Sequence, residues 1–229
     1  MKAMLLAAGY GKRLAPLTLE TPKPMLEVAG KPLLQYHIER LAACGIRDLV
    51  INTSWLAEQI EDYFGNGSEF GVSINWSREP QPLETGGGIA KALDLLGHQP
   101  FLLVNGDIWT DFPLDSLSAQ SVADNKSAWL LLVNNPEHNP KGDFALSDGL
   151  VTNTLSAKYT FSGISVIRPQ LLSDYTQTNP SQESFPLRDV LLPAIEAGKV
   201  MGALYHGKWC DVGTVERYQA LNNSLATDG

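Results

Sequence analysis

Ala3-Met4-Leu5-Leu6-Ala7-Ala8-Gly9-Tyr10-Gly11-Lys12-Arg13 is the stretch that decides the fold. Ala3 to Ala7 is a short unbroken apolar run, the pattern of a strand covered on both faces. It breaks directly into two glycines, one residue apart, and two cations. Similar apolar runs recur at Leu49 to Thr53, Val72 to Trp76 and Phe101 to Asn105. Between them Leu34, Ile38 and Leu41 keep helical spacing, with Gly45 placed to stop that helix. Trp55 to Phe64 reads as a second helix closed by Gly65, and Ile89 to Leu96 as a third ending near Gly97. This alternation predicts right-handed crossovers and an α/β fold with a Rossmann-like, mostly parallel sheet flanked by helices.

Beyond this region the pattern loosens. Ala128 to Val133, Phe161 to Ile167 and Val200 to Tyr205 read as strands, and Arg188 to Ala197 and Val215 to Leu225 as helices, the last with Thr214 as N-cap. Asn134 to Lys158 is rich in Asn, Pro, Gly and Asp, which predicts turns and short hairpins. No linker, repeat or low-complexity tract divides the chain. The expected organisation is one domain over 1–229, with a nucleotide-binding half at 1–111 and a smaller acceptor-binding β region within 112–229.

Composition narrows the function classes. A formal charge of -8 and a pI near 5.0 argue against a nucleic-acid partner. No stretch reaches the roughly 20 apolar residues that span a bilayer. The apolar start is too short for a signal peptide, so a cytoplasmic protein is expected. Cys44 and Cys210 lie far apart without metal-ligand spacing, which predicts buried, reduced thiols.

The loop Gly9-Tyr10-Gly11-Lys12-Arg13 comes directly after a strand of an open sheet, where ligands bind. Glycines let the backbone approach a phosphate, and main-chain N–H groups of Ala7, Ala8, Gly9 and Gly11 can then donate to it. Lys12 adds charge and Arg13 a planar fork. By itself the pattern is weak: it lacks the third glycine of a dinucleotide fingerprint and is not a Walker loop. The proline-rich segment downstream strengthens it. In Pro22-Lys23-Pro24-Met25-Leu26 two prolines restrict the backbone around Lys23, fixing where its ammonium is aimed.

Gly9-x-Gly11-x-Arg13-Leu14, with Pro22-Lys23-Pro24-Met25-Leu26 and Gly30-Lys31-Pro32-Leu33, resembles the signature of the sugar-1-phosphate nucleotidyltransferases. The resemblance implies a loop that cradles a nucleoside triphosphate, with Gly11, Lys12, Arg13 and Lys23 on the nucleotide. It also implies a metal pair. Phe101 to Asn105 runs into Gly106-Asp107, and Trp209-Cys210-Asp211-Val212-Gly213-Thr214 carries a late aspartate, the two contexts of the family's metal-binding acids. Magnesium suits such a pair, since it takes one or two carboxylates together with phosphate oxygens. Arg13, Lys23 and Asp107 are the expected catalytic residues.

Base and acceptor are less sharply written. In Glu79-Pro80-Gln81-Pro82-Leu83-Glu84-Thr85-Gly86-Gly87-Gly88 the resemblance implies a base-reading segment. Gln81 can donate and accept, which suits the imide of uracil, with Glu79 as competitor and Gly86 beside it. Asn105, Gly142, Asp143, Ser162 and Gly163 are the expected sugar-phosphate residues. The Glu-Lys-Pro motif of many hexose-phosphate members is absent, and Lys158 stands nearby instead. The resemblance implies UTP as donor and N-acetylmuramate α-1-phosphate as acceptor, in cell-wall sugar recycling. Thymidylyl or guanylyl transfer to glucose or mannose 1-phosphate, and a non-catalytic nucleotide-sugar sensor, remain alternatives. A monomer or small homo-oligomer is expected.

Overall fold

A computed structural model describes residues 1–227 of the chain. The first half runs β1 (Ala3–Leu6), the single turn α1 (Leu17–Glu20), a hairpin of β2 (Glu27–Val28) and β3 (Lys31–Pro32), α2 (Leu33–Ala43), β4 (Asp48–Thr53), α3 (Ala57–Phe64), β5 (Ser73–Arg78), α4 (Glu84–Lys91), α5 (Leu93–Leu96), β6 (Phe101–Asn105) and β7 (Ile108–Thr110). The second half adds β8 (Ala128–Val133), β9 (Ala145–Ser147), β10 (Leu150–Thr152), β11 (Thr160–Ile167), α6 (Pro169–Thr178), α7 (Leu187–Glu196), β12 (Val200–Tyr205), β13 (Trp209–Asp211) and α8 (Val215–Thr227).

Nine strands make one sheet in the order β5-β4-β1-β6-β11-β8-β12-β10-β9. The strands β5, β4, β1 and β6 are all parallel. β11 then enters antiparallel between β6 and β8, and β12 is again parallel to β8.

Why the apolar runs are unbroken is visible in where alternate side chains go. Ala3 and Leu5 of β1, Leu49 and Ile51 of β4, and Leu102 and Val104 of β6 pack into one cluster with Leu34, Ile38 and Leu41 of α2 and Ile60 and Phe64 of α3. Met4, Val50, Phe101 and Leu103 point the other way, against Ile89 of α4, Leu96 of α5 and Val190, Leu191 and Ile195 of α7. A strand that feeds two cores has no solvent face, so its central positions are apolar on both sides. Each such aliphatic side chain contributes about 1.5–3 kcal/mol of burial.

Several expectations shift. The predicted helix Ile89 to Leu96 is two helices, α4 starting earlier at Glu84 and α5 at Leu93, because Ala92 leaves the first helix and begins the second. The Asn134 to Lys158 segment does hold a hairpin, β9 with β10, and it closes the edge of the main sheet. α6 is an addition to the expected elements, although Pro169 at its first turn is a helix-start signal. Cys44 and Cys210 are free as expected, but both are half-buried rather than buried.

Candidate active site

From β1 the chain moves outward through β4 to β5, then returns to β6 on the other side of β1. The winding reverses between β1 and β6, and the crevice outside the carboxyl ends of the strands opens there. A cavity of about 310 Å³ occupies it. Its walls are the residues that end the parallel strands: Ala7, Ala8 and Gly9 after β1, Asn52 on β4, Glu79 after β5, and Asn105, Gly106 and Asp107 at β6, joined by Gly11, Lys12, Arg13 and Lys23.

The loop after β1 is held by local geometry. Gly11 has φ +64°, and a Cβ there would lie 2.8 Å from Thr18 Cγ2, so only glycine fits without strain. Thr18 Oγ1 donates to the Gly11 carbonyl at 2.9 Å. Lys12 stacks its ammonium 5.2 Å from the centre of the Tyr10 ring, and its charge and that of Arg13 reach solvent at the cavity rim. Gly106 brings the β6 turn against β1: its N–H donates to the Leu6 carbonyl at 2.9 Å.

Asn52 is a site residue that the sequence reading missed. Its Oδ1 accepts the Ala7 N–H at 2.8 Å, and its Nδ2 donates to Glu79 Oε1 at 2.7 Å. Glu79 Oε2 accepts the Leu83 N–H at 2.9 Å. One amide therefore ties the glycine loop after β1 to the segment entering α4. The signal was an asparagine in the otherwise apolar run Leu49 to Thr53. Burial pushes the Glu79 carboxyl above its usual range, an effect that the Asn52 amide partly offsets. Gln81 lines a second groove, with Pro80, Leu83 and Gly87, whereas Glu79 faces the central cavity. Gly86 is buried, and its N–H donates to the Phe185 carbonyl at 2.9 Å; a Cβ there would strike the Phe185 ring. This glycine serves the packing of α4 on the segment before α7.

The charged centre unites distant parts of the chain. Lys23, buried between its prolines, donates from Nζ to Asp107 Oδ2 at 2.6 Å. β7 and β13 pair antiparallel, with Asp211 opposite Ile108, and the Val212 N–H donates to the Asp107 carbonyl at 2.7 Å. Asp211 Oδ1 in turn receives Arg217 Nη1 and His138 Nε2, both at 2.9 Å. Neither partner was singled out from sequence. Arg217 lies on α8 at a short, readable spacing from Asp211; His138 arrives from a loop and is not readable. α8 also clamps the Lys23 side of the site: Tyr218 Oη donates to the Glu27 carbonyl at 2.7 Å, and Asn222 Oδ1 accepts the Ala29 N–H at 2.8 Å.

Asp107 lines the cavity, while Asp211, on the backbone segment bonded to it, is not among the cavity-lining residues and is held by Arg217 and His138. Among the described residues no cluster of three or more His, Cys, Asp or Glu could hold a metal by itself. Lys23, Arg217 and His138 are the hydrogen-bond donors beside the two acids.

Of the expected acceptor residues, Asn105 and Asp143 line a second cleft, whereas Gly142, Ser162 and Gly163 line neither cavity, and Ser162 and Gly163 are buried behind it. The register of β11 against β8 shifts between Phe161 and Ser165, and the bulge brings Gly163 against the Asn105 side chain. Ser162 is buried, and its carbonyl accepts Trp209 Nε1 at 2.8 Å. Asp143 Oδ2 accepts the Phe161 N–H at 2.8 Å. Gly142 packs on the Lys158 backbone. A cleft lined by Thr85, Asn105, Asp143, Phe144, Phe161 and Arg188 adjoins the main cavity through Thr85 and Asn105, which line both. No helix of the described residues is long and apolar enough to cross a membrane.

Residues 2–144 match the family model "Nucleotidyl transferase". The chain is 47% identical over 223 residues to an N-acetylmuramate alpha-1-phosphate uridylyltransferase of Neisseria meningitidis, covering 95% of each chain. It is 30% identical over 231 residues to a mannose-1-phosphate guanyltransferase of Schizosaccharomyces pombe, covering 95% of this chain but 62% of that protein. In fold it is similar to a Bacillus anthracis protein described as a putative glucose-1-phosphate thymidylyltransferase in complex with a sucrose. The TM-score is 0.89 at 23% identity, over 100% of this chain and 96% of the other.

Proposed function

The chain belongs to the nucleotidyl transferase family, and on that premise we propose that it joins UTP to N-acetylmuramate α-1-phosphate, giving the UDP-sugar and pyrophosphate. The observation that carries the reading is the Lys23 ammonium 2.6 Å from Asp107, with the Asp211 segment bonded to the Asp107 backbone. Lys23 and Asp107 face the glycine loop across one cavity.

The chemistry asks for placement and charge. The second pKa of a phosphate monoester is near 6, so the acceptor arrives as a dianion that is already a nucleophile. One of its oxygens bonds to the α-phosphorus while the bond to the bridging oxygen breaks in line, and the electron pair leaves with pyrophosphate. Charge balances without a proton transfer, so the site needs no general base. Lys23 has three N–H donors and gives one to Asp107, which leaves donors for the α-phosphate. Arg13 and Lys12 at the rim suit the departing β- and γ-phosphates. Asp107 and Asp211 would hold magnesium, which when bound neutralises phosphate charge.

Asn105 and Asp143 on the cleft wall support an acceptor side, with Gly142, Ser162 and Gly163 shaping the backbone behind it, and the halves 1–111 and 112–229 are assigned to donor and acceptor. Glu79, facing the cavity before the entry to α4, is placed to read the uracil, whereas Gln81 lines the neighbouring groove. The Neisseria relative's name supports the choice of sugar and base, and a cytoplasmic, monomeric or small oligomeric enzyme of cell-wall sugar recycling fits that role.

A panel of UTP, dTTP and GTP against N-acetylmuramate, glucose and mannose 1-phosphates, scored by pyrophosphate release with and without Mg2+, tests this reading. UTP with N-acetylmuramate 1-phosphate should dominate and require the metal. Dominance of another pair would refute the specificity, and tight UDP-sugar binding without turnover would point to a sensor.

A further inference from the structure

We propose that Arg188 is the specificity-determining residue of the acceptor cleft, and that it recognises a carboxylate on the acceptor sugar. This rests on the acceptor side assigned above, and it names what distinguishes the sugar that this side takes.

Arg188 sits in the first turn of α7, a helix of 10 residues. Its guanidinium lies 5.5 Å from the centre of the Phe144 ring, a cation–π distance that holds the cation beside the cleft. Among the described residues no carboxylate pairs with it. Of the residues on the walls of the cleft it alone is a cation. An exposed arginine without a salt bridge is common; one held at the wall of a cavity that opens into a phosphate site is placed for a ligand.

The rest of the wall says what kind of ligand. Phe144, Phe161, Leu187 and Leu191 give an apolar floor that suits methyl groups. Asp143, the acid of the same wall, has Oδ2 engaged by the Phe161 N–H and by Asn139 Nδ2 at 3.3 Å. It is held as an acceptor for sugar hydroxyls. A hexose 1-phosphate whose phosphate lies toward the shared Asn105 would present its remaining ring substituents along this floor. A carboxylate borne on a short methyl-bearing ether, together with an acetamido methyl, matches one cation beside apolar side chains. An uncharged hexose would leave the guanidinium without a partner.

The test compares N-acetylmuramate 1-phosphate with N-acetylglucosamine 1-phosphate, which lacks only the carboxylate-bearing ether. Wild type, Arg188→Met and Arg188→Lys are measured for acceptor binding by calorimetry and for kcat/KM with UTP. Arg188→Met should cut the preference for the carboxylate-bearing acceptor by roughly tenfold or more, the scale of one charge-assisted hydrogen-bonded pair, and Arg188→Lys should keep part of it. An unchanged ratio, whether both acceptors weaken together or neither does, overturns the proposal, and equal weakening would place Arg188 on the phosphate. Wild-type binding that prefers the carboxylate without turnover would instead sink the transferase reading and leave this recognition standing.

Discussion

Lys23 and Asp107, 84 residues apart in sequence, meet at 2.6 Å in the floor of the cavity. The lysine side chain is 11% exposed and the aspartate 38%, so the ammonium is largely desolvated while the carboxylate still faces the ligand space. A pair of this kind contributes little to stability, on the order of 1 kcal/mol, because one partner is wet. Its value is positional. Each charge holds the other in place, at the point where the proposed reaction would bring the α-phosphate and a metal together.

Asp107→Asn should therefore lower turnover on the order of 100-fold or more while leaving the thermal midpoint within a few degrees. Lys23→Met should cost a comparable factor. Because both act on one transition-state charge, the double variant should be far less impaired than the product of the two single losses. Steady-state kinetics on the four proteins at saturating Mg2+ gives the coupling directly. Multiplicative losses would show that the two residues act separately.

The phosphate loop makes a second, steric prediction. Gly11→Ala must adopt φ +64° and set its Cβ 2.8 Å from Thr18 Cγ2 and 3.2 Å from Lys23 Cβ. The left-handed conformation costs about 1–2 kcal/mol, and relieving the contact moves either Thr18 or Lys23. KM for the nucleotide should rise about tenfold, matching that strain at about 1.4 kcal/mol per factor of ten. The alanine variant with unaltered KM and kcat would show that the loop does not hold the triphosphate.

Much of this site was readable because it is built from strand ends. Buried parallel strands have to be apolar throughout, so Gly9 and Asp107 announce themselves as the points where an apolar run stops. Asn52 was missed for the same reason: it lies within a run, and its role depends on Ala7 and Glu79, each brought to it by a different crossover. The packing of α4 on Phe185 and of the Gly163 bulge on Asn105 are contacts that no local pattern encodes. His138 reaches Asp211 from a loop of turns, and only the closed fold records that meeting.

Asn52 yields a third prediction. Asn52→Asp keeps the acceptor for the Ala7 N–H but replaces the donor to Glu79 with a second carboxylate at the place now 2.7 Å from Glu79 Oε1. Two acids that close cannot both ionise, so the pair should retain one proton and its apparent pKa should rise. The variant should bind nucleotide better at pH ~5.5 than at pH ~8, whereas the wild type should not show that trend. Nucleotide titrations at the two pH values measure it, and equal affinities would mean that the segment rearranges to separate the acids.

His37, on α2 behind the Asp107 turn, ties stability to pH. It is 2% exposed, and its Nε2 has no hydrogen-bond partner. Burial lowers its pKa from 6.5 to about 4, and the nearby Arg40 charge adds to the effect; a backbone hydrogen bond with Ile108 and the charge of Asp107 oppose it. The folded protein therefore keeps the imidazole neutral over a range in which the unfolded chain protonates it. The unfolded state binds more protons in that window, so stability is complete above about pH 6.5 and is lost as the pH falls toward about 4. The distance between those two values corresponds to about 3 kcal/mol from this one residue. Urea unfolding of the wild type should show that loss between about pH 7 and pH 4 on top of the contributions of the carboxylates. His37→Phe removes the titrating group and keeps an apolar ring in the core, so its stability should be lower near pH ~7, where the Ile108 hydrogen bond is missing, yet fall less steeply with acid. Parallel curves for the two proteins would mean that His37 protonates in the folded state as easily as in the unfolded one, and that water reaches it.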